Sequence, residues 1–291
     1  MASLKEVKGR IASVNNTRKI TSAMKMVASA KLHKAQAAIE NMLPYERRLN
    51  HILTNFLSAG SEVESPFIVK REVKRVAIVV FASNTSLCGG FNANIIRHLT
   101  VILDEYKSLG MENVLLYPVG RKVAEGVKKL GFKAEGDFQH MADKPSYQEA
   151  AALAEDLMRR FLHRDIDKVE LLYNHFRSTA VQVLTRETYL PIDLTQEKKE
   201  EDKGRIPDYI VEPSVDVVMR ELLPKVLRMK MFTVLLDSNA SEHAARTMAM
   251  QIATDNANDL LKSLELSYNK ARQAGITREI NEIVGGAEAL Q

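Results

Sequence analysis

The residues best placed for chemistry lie in the run Ser83–Asn94, SNTSLCGGFNAN. An apolar stretch that reads as a strand precedes it, and a helix-like stretch follows. Rossmann-like folds hold phosphate at such strand-to-helix turns, because a helix N-terminus offers free N–H groups and the positive end of its dipole. Gly89 and Gly90 do not complete a G-x-G-x-x-G fingerprint, and the chain has no G-x-x-x-x-G-K-[ST] loop. The plainer reading is a tight turn; the alternative is a nucleotide-binding α/β enzyme with helical arms. Cys88, the one cysteine, stands near this helix start, where a thiol ionises more readily. A nucleophile also needs a base, and the sequence supplies no histidine partner for it. The seven histidines form no H-x-x-x-H or H-x-H pair, so no metal site is expected. Asp255 and Asp259 share a helix face but read as a polar surface, and no G-x-S-x-G occurs. Neither catalysis nor a cofactor is expected.

Three other residues call for a reading. Arg246 stands in a helical stretch rich in small residues (Ala244, Ala245, Ala249, Ala253, Ala257). It is either an exposed arginine or a bidentate contact to a partner carboxylate. Met24 and Lys25 lie in a comparable place near the N-terminus. Met24 is either core or a bare contact on a weakly sticky surface.

Helix breakers divide the chain. No proline precedes Pro44 or follows Pro224, and no glycine falls between Gly9 and Gly60. A first helix is therefore predicted over Leu4–Leu57, with Pro44 kinking it or ending its first part. Leu4, Val7, Ile11 and Val14 have the spacing of a coiled-coil seam, and Ile20, Met24 and Val27 are expected to resume it after a polar gap at Asn15–Arg18. A last helix is predicted over Ser214–Ala287, with Ser214 as N-cap and Met248, Ile252, Leu260 and Leu264 on one face. Such helices would span about 75 and 105 Å. A lone helix cannot bury its apolar stripe, so each needs a partner; the two are expected to pair with each other.

The middle reads as α/β. Strands are expected at Arg75–Ala82, Val114–Val119, Lys168–Phe176 and Thr179–Tyr189, with a short one at Phe132–Glu135. Helices are expected at Asn92–Leu109, Arg121–Leu130 and Ser146–Leu162, the last opened by a capping box of Ser146 and Glu149. Alternation of strand and helix implies a mainly parallel sheet with an antiparallel edge. Gln196–Arg205 is a charged loop. The fold class expected is α/β plus a long antiparallel α-helical coiled coil: a Rossmann-like central domain, 74–195, inserted between an N-terminal coiled-coil helix, 1–60, and a C-terminal one, 208–291.

The charge is uneven. Residues 1–57 carry ten Lys/Arg against three Asp/Glu, although the whole chain is only +4. That suits a carboxylate-rich protein surface or a nucleic acid. A nucleic-acid adaptor is disfavoured, since this segment offers only Tyr45 and Phe56 to stack on bases. One cysteine rules out an intrachain disulfide and fits a reducing compartment. The N-terminus MASLKEVKGRIASV has no signal-type apolar run, and no stretch approaches the ~18 apolar residues of a membrane span. A cytoplasmic chain, mature from its first residue, is the expectation.

Three segments then carry a family resemblance. Ile11–Leu32 (IASVNNTRKITSAMKMVASAKL) and His243–Leu290 (HAARTMAMQIATDNANDLLKSLELSYNKARQAGITREINEIVGGAEAL) closely resemble the two end signatures of the gamma subunit of bacterial F-type ATP synthases. Ser86–Asn94 is similar to that family's internal motif, so the resemblance spans the chain. It implies a central rotor shaft. The terminal helices would enter the ring of three alpha and three beta subunits, and the middle domain would form a foot beside the epsilon subunit and the membrane c-ring. The resemblance implies peripheral attachment at the cytoplasmic face of the cell membrane, one copy per complex, and ATP chemistry on beta. Met24 matches the family's position facing the acidic loop of beta. Arg246, Gln273 and Thr277 match positions that contact the catch region of beta, and Tyr209, in DYIVEP, the foot near the c-ring. Lys25 departs from the acidic residue of relatives.

Overall fold

The computed structural model describes residues 4–58, 65–192 and 215–288; Tyr209, the Gln196–Arg205 loop and Ser214 lie outside these. The chain forms two compact units, one of residues 1–28 with 247–291 and one of residues 29–246.

The terminal helices are continuous. Helix α1 runs Leu4–Ser58, and helix α6 runs Val215–Glu288. Pro44 lies inside α1 without ending it, and Pro224 lies inside α6 in the same way. In the first unit these ends pair antiparallel. Arg18 Nη1 donates to Asn258 Oδ1 at 3.3 Å, and Thr21 Oγ1 stands 2.9 Å from Thr254 Oγ1. A methyl built on Gly275 would come 3.8 Å from Leu4 Cδ1. Partners on α6 thus fall in number as those on α1 rise.

The seam differs from the one the apolar pattern suggested. Leu4, Val7, Ile11 and Val14 are shielded as expected, but Ile20 and Val27 are well exposed. The seam continues instead through Thr21 and Ala28, seven residues apart like Val7 and Val14. On α6 the shielded stripe is Met250, Thr254, Ala257, Leu261, Leu264, Ala271 and Gly275, while Met248, Ile252 and Leu260 face outward. The 3–4 spacing of a coiled coil is intact. At Thr21, Ala28, Thr254, Ala257, Ala271 and Gly275 its occupants are small or hydroxylated, so hydrophobicity does not mark those positions.

The second unit is built on a four-stranded sheet of β1 (Val76–Phe81), β2 (Val114–Val119), β3 (Lys168–Phe176) and β4 (Gln182–Leu190). Their spatial order is β2-β1-β3-β4. β1 pairs parallel with β2, Val76 beside Val114 and Phe81 beside Val119, and parallel with β3, Val76 beside Lys168. β4 returns antiparallel to β3. The expected strand at Phe132–Glu135 is only an isolated bridge, Ala134 to Leu116.

β1, VAIVVF, is buried on both faces, which explains its unbroken apolar run. Val76, Ile78 and Val80 meet helices α2 (Phe91–Glu105) and α3 (Arg121–Lys129) through Ile95, Leu99 and Val123. Ala77, Val79 and Phe81 share the other core with Leu153 and Leu157 of α5 (Tyr147–Leu162), which follows the short α4 (Gln139–Asp143). Leu223, Leu227 and Leu235 of α6 and Leu53 of α1 complete that core. α2 stops at Glu105 and gives way to a 3₁₀ turn at Lys107–Leu109, after which Gly110 takes φ +85°. Ser146 does precede α5, but its side chain caps nothing; Glu149 turns to His140 Nδ1, 3.0 Å away. The expected capping box is therefore absent: the Glu149 carboxylate bonds the His140 ring instead.

Candidate functional site

The strand order defines where a ligand would lie. From β1 the chain crosses through α2 to β2 on one side, then returns through α3, α4 and α5 to β3 on the other side of β1. Open α/β sheets bind ligands beyond the carboxyl ends of the strands where the crossings diverge. Here that point is the end of β1, Phe81, and the loop Ala82–Gly90.

The loop is held from within. Ser83 N–H donates to Asn92 Oδ1 at 3.1 Å, Ser83 Oγ donates to the Thr85 carbonyl at 2.7 Å, and Asn92 Nδ2 donates to Ser83 Oγ at 2.8 Å. Cys88 is buried; its Sγ has Asn92 Nδ2 at 3.2 Å, Ser83 Oγ at 3.8 Å and the Thr85 carbonyl at 3.9 Å. None of these is a base, so Cys88 packs and does not attack. The next loop presses close: Gly120 has φ +109°, and a Cβ there would lie 2.2 Å from the Ala82 carbonyl oxygen. Arg121 N–H donates to Asn84 Oδ1 at 2.7 Å.

Helix α6 lies across this crevice. At the end of β3, Asp237 Oδ1 accepts from Phe176 N–H at 2.8 Å, and its Oδ2 is 2.6 Å from His175 Nδ1. Asn239 Nδ2 donates to the Ala142 carbonyl at 2.9 Å. Further on, Arg246 grips the β1 loop: Nη1 donates to the Ser86 carbonyl at 2.5 Å and Nη2 to Thr85 Oγ1 at 2.8 Å. Nη2 also meets Glu242 Oε1 at 2.7 Å. Between Phe81, Val119, Leu235 and Glu242 only about 10 Å³ remains open. That admits about one water, whereas small-molecule sites occupy ~300–1,000 Å³. The nucleotide alternative fails here because the chain fills its own crevice.

Burial dominates the electrostatics. It raises the Glu242 carboxyl above its ordinary range, with the Arg246 bond working against it. It lowers His243 to about 4, helped by the positive charges of Lys31 and Arg246, so the imidazole is neutral near pH 7. Arg246 is then not the exposed arginine of the plain reading: only 8% of it is accessible.

The other expected site residues lie in the first unit. Met24 is half-buried on α1, as is Lys25. Gln273 and Thr277 are exposed on α6, on either side of Gly275. The register that sets Thr21 beside Thr254 and Leu4 beside Gly275 separates Met24 from Gln273 by roughly 30 Å along the pair. They are not one cluster. Asp237 and Glu242 escaped sequence reading, although a carboxylate inside the apolar run MFTVLLDSNA was a usable signal.

A second polar group, away from the crevice, joins Tyr106, Lys168, Glu170 and Arg186. Glu170 is almost wholly buried and takes Lys168 Nζ at 2.6 Å, Arg186 Nε at 2.9 Å and Tyr106 OH at 2.8 Å. Burial pushes its carboxyl up, but the Arg186 and Lys168 bonds outweigh this and hold it below 4.5. No group of three or more His, Cys, Asp or Glu among the described residues could hold a metal ion. No helix among them is long and apolar enough to cross a membrane.

Comparison with known proteins agrees with the geometry. The sequence model of the ATP synthase family matches residues 3–290. The ATP synthase gamma chain of Phocaeicola vulgatus is 94% identical over 289 residues, 99% of this chain and 100% of that one. The gamma chain of Bacteroides fragilis is 63% identical over 290 residues, again 99% and 100%. Among solved structures, a chain of the Euglena gracilis mitochondrial ATP synthase, in an OSCP/F1/c-ring assembly, shares the fold. Its TM-score is 0.68 at 20% identity, covering 99% of this chain and 94% of that chain. A family match along nearly the whole length and relatives of 94% and 63% identity lead to one conclusion: the chain belongs to the gamma chains of bacterial F-type ATP synthases, a non-catalytic subunit whose complex carries out catalysis on other subunits.

Proposed function

We propose that this chain is the central rotor shaft of its ATP synthase, passing torque between a membrane c-ring and three catalytic beta subunits during ion-driven ATP synthesis or the reverse hydrolysis. The observation that carries this is the antiparallel pair closed by Thr21 and Thr254. Helices of 55 and 74 residues with a slim seam suit an element that turns inside a ring. The rotor must also be lopsided, because a partner's states shift only through differential contact with them. The basic start of α1 supports attraction to carboxylates on beta.

Under this reading Met24 meets the acidic loop of beta, and Arg246, Gln273 and Thr277 meet its catch region. Residues 74–195 form the foot, with Tyr209 toward the c-ring, and 1–60 and 208–291 form the coiled coil. The alpha3-beta3 hexamer, epsilon and the c-ring are the partners, with a single copy per complex, peripheral at the cytoplasmic face. The test is co-expression with alpha and beta subunits of the same organism. The expected product holds one copy of this chain per three of each partner and turns on ATP addition. Truncation from Ala274 onward should weaken torque more than assembly. Full ATP-driven rotation by a chain lacking both helix tips would refute a rigid drive.

A further inference from the structure

A helix bedded on apolar side chains resists being pulled away but is held only weakly against turning, since apolar attraction is non-directional. The bed of α6 on the sheet is apolar: Leu223, Val226, Leu227, Leu235 and Leu236. Polar contacts interrupt it, among them Tyr189 OH to the Leu227 carbonyl and Asn239 Nδ2 to the Ala142 carbonyl, and two others tie α6 to the carboxyl ends of the strands. Asp237 binds the end of β3, at Phe176 N–H and His175 Nδ1. Arg246 binds the loop after β1, at Ser86 O and Thr85 Oγ1. The two residues are nine apart, about two and a half turns, so they leave α6 on nearly opposite sides and about 13 Å apart along its axis. A helix held on opposite sides by bonds that depend on angle resists rotation in both directions.

The Arg246 contact has the marks of a strained, determined site. Leu87, next to the gripped residues, has φ +69°. A leucine in that region costs energy and persists only where its surroundings over-determine it. Glu242 meets Arg246 in the same buried place, 2.7 Å from its Nη2.

We propose that Arg246 is a positioning residue that locks α6 to the β1 loop through Thr85 and Ser86, so that torsional load between the central sheet and the C-terminal helix passes through this bond. The proposal rests on the rotor reading, and it gives Arg246 an inward task distinct from a contact with beta. The two tasks differ at Thr85, which an outward contact does not need.

The experiment uses the whole ATP synthase in sealed vesicles and reads protons moved per ATP hydrolysed, together with the hydrolysis rate and the yield of intact complex. Thr85→Val removes the hydroxyl acceptor, leaves the Ser86 carbonyl in place and keeps the shape. It should lower the transport-to-hydrolysis ratio by roughly 2- to 30-fold at unchanged yield of complex. Thr85→Ser, which retains the hydroxyl, should match the wild type. Arg246→Ala should lower the ratio at least as far, and the pair Arg246→Ala with Thr85→Val should do no worse than Arg246→Ala alone. A wild-type ratio in Thr85→Val, or losses that add in the double variant, overturns the proposal. Failure of the rotor reading shows separately, as a wild-type chain that supports no ATP-driven transport.

Discussion

Thr21 and Thr254 face each other with their hydroxyl oxygens 2.9 Å apart, at the centre of a seam where aliphatic pairs would be expected. Thr254 Oγ1 also donates to the Met250 carbonyl at 2.7 Å, and Thr21 Oγ1 reaches the Arg18 carbonyl at 3.0 Å. The two hydroxyls have two protons for three contacts, so one donates across the seam and the other to its own helix. Removing one leaves the other with a local partner, which limits the penalty. Thr21→Val or Thr254→Val alone should cost about 1 kcal/mol or less, and the double variant should be neutral or stabilising. Thermal unfolding of the three variants checks this; two singles whose losses simply add in the double would contradict it.

Gly120 cannot carry a side chain. A Cβ would sit 2.2 Å from the Ala82 carbonyl oxygen, and φ +109° is foreign to L-residues. Gly120→Ala must push apart the loops at the ends of β1 and β2, where Ala82 N–H donates to the Val119 carbonyl at 2.8 Å. A loss of about 3 kcal/mol or more is expected. By contrast, Gly275 is in a helix with room for a methyl, so Gly275→Ala should gain about 0.5–1 kcal/mol. Denaturant midpoints for the two variants should move in opposite directions.

Arg186 and Glu170 form a buried bond at 2.9 Å, and Arg186 reaches on to Glu105 at 2.6 Å. Arg186→Met removes the forked partner of Glu170 but leaves Lys168 Nζ at 2.6 Å, and should destabilise by about 1.5–3 kcal/mol. The pH signature is specific. Glu170 titrates below 4.5 in the fold, so its contribution is present above 4.5 and fades as pH falls through the lowered value. In Arg186→Met that fading should begin at higher pH, readable in unfolding midpoints across an acid series.

His243 acts in the same sense, from a different cause. Burial holds its folded value near 4 against 6.5 in the unfolded chain. Between these values only the unfolded chain takes up the proton, so stability falls as pH drops from 6.5 toward 4. The whole effect is about 3 kcal/mol. His243→Gln, which cannot titrate, should remove this slope; an unchanged pH profile would show that other groups set it.

The long helices were legible in the sequence because their signal is an absence: no proline before Pro44 and few glycines anywhere near either end. Strand β1 was legible because burial on both faces demands an unbroken apolar run. The antiparallel pairing followed from the need of two long amphipathic helices for a partner, and the end segments carried the family resemblance by themselves.

What only the tertiary structure decided was which groups face each other. Ile20, Val27, Met248, Ile252 and Leu260 outrank Thr21, Ala28, Thr254 and Ala257 in hydrophobicity, yet the second set forms the seam. Close approach of two helices favours small side chains, and hydropathy does not measure closeness. Arg246 and the Ser83–Asn94 turn each looked like half of a site for something else. Their separation in sequence, 160 residues from Ser86 to Arg246, hid that they complete one another. Local pattern fixes which residues can bond; the fold alone brings a guanidinium from one helix to the carbonyl it binds on a distant loop.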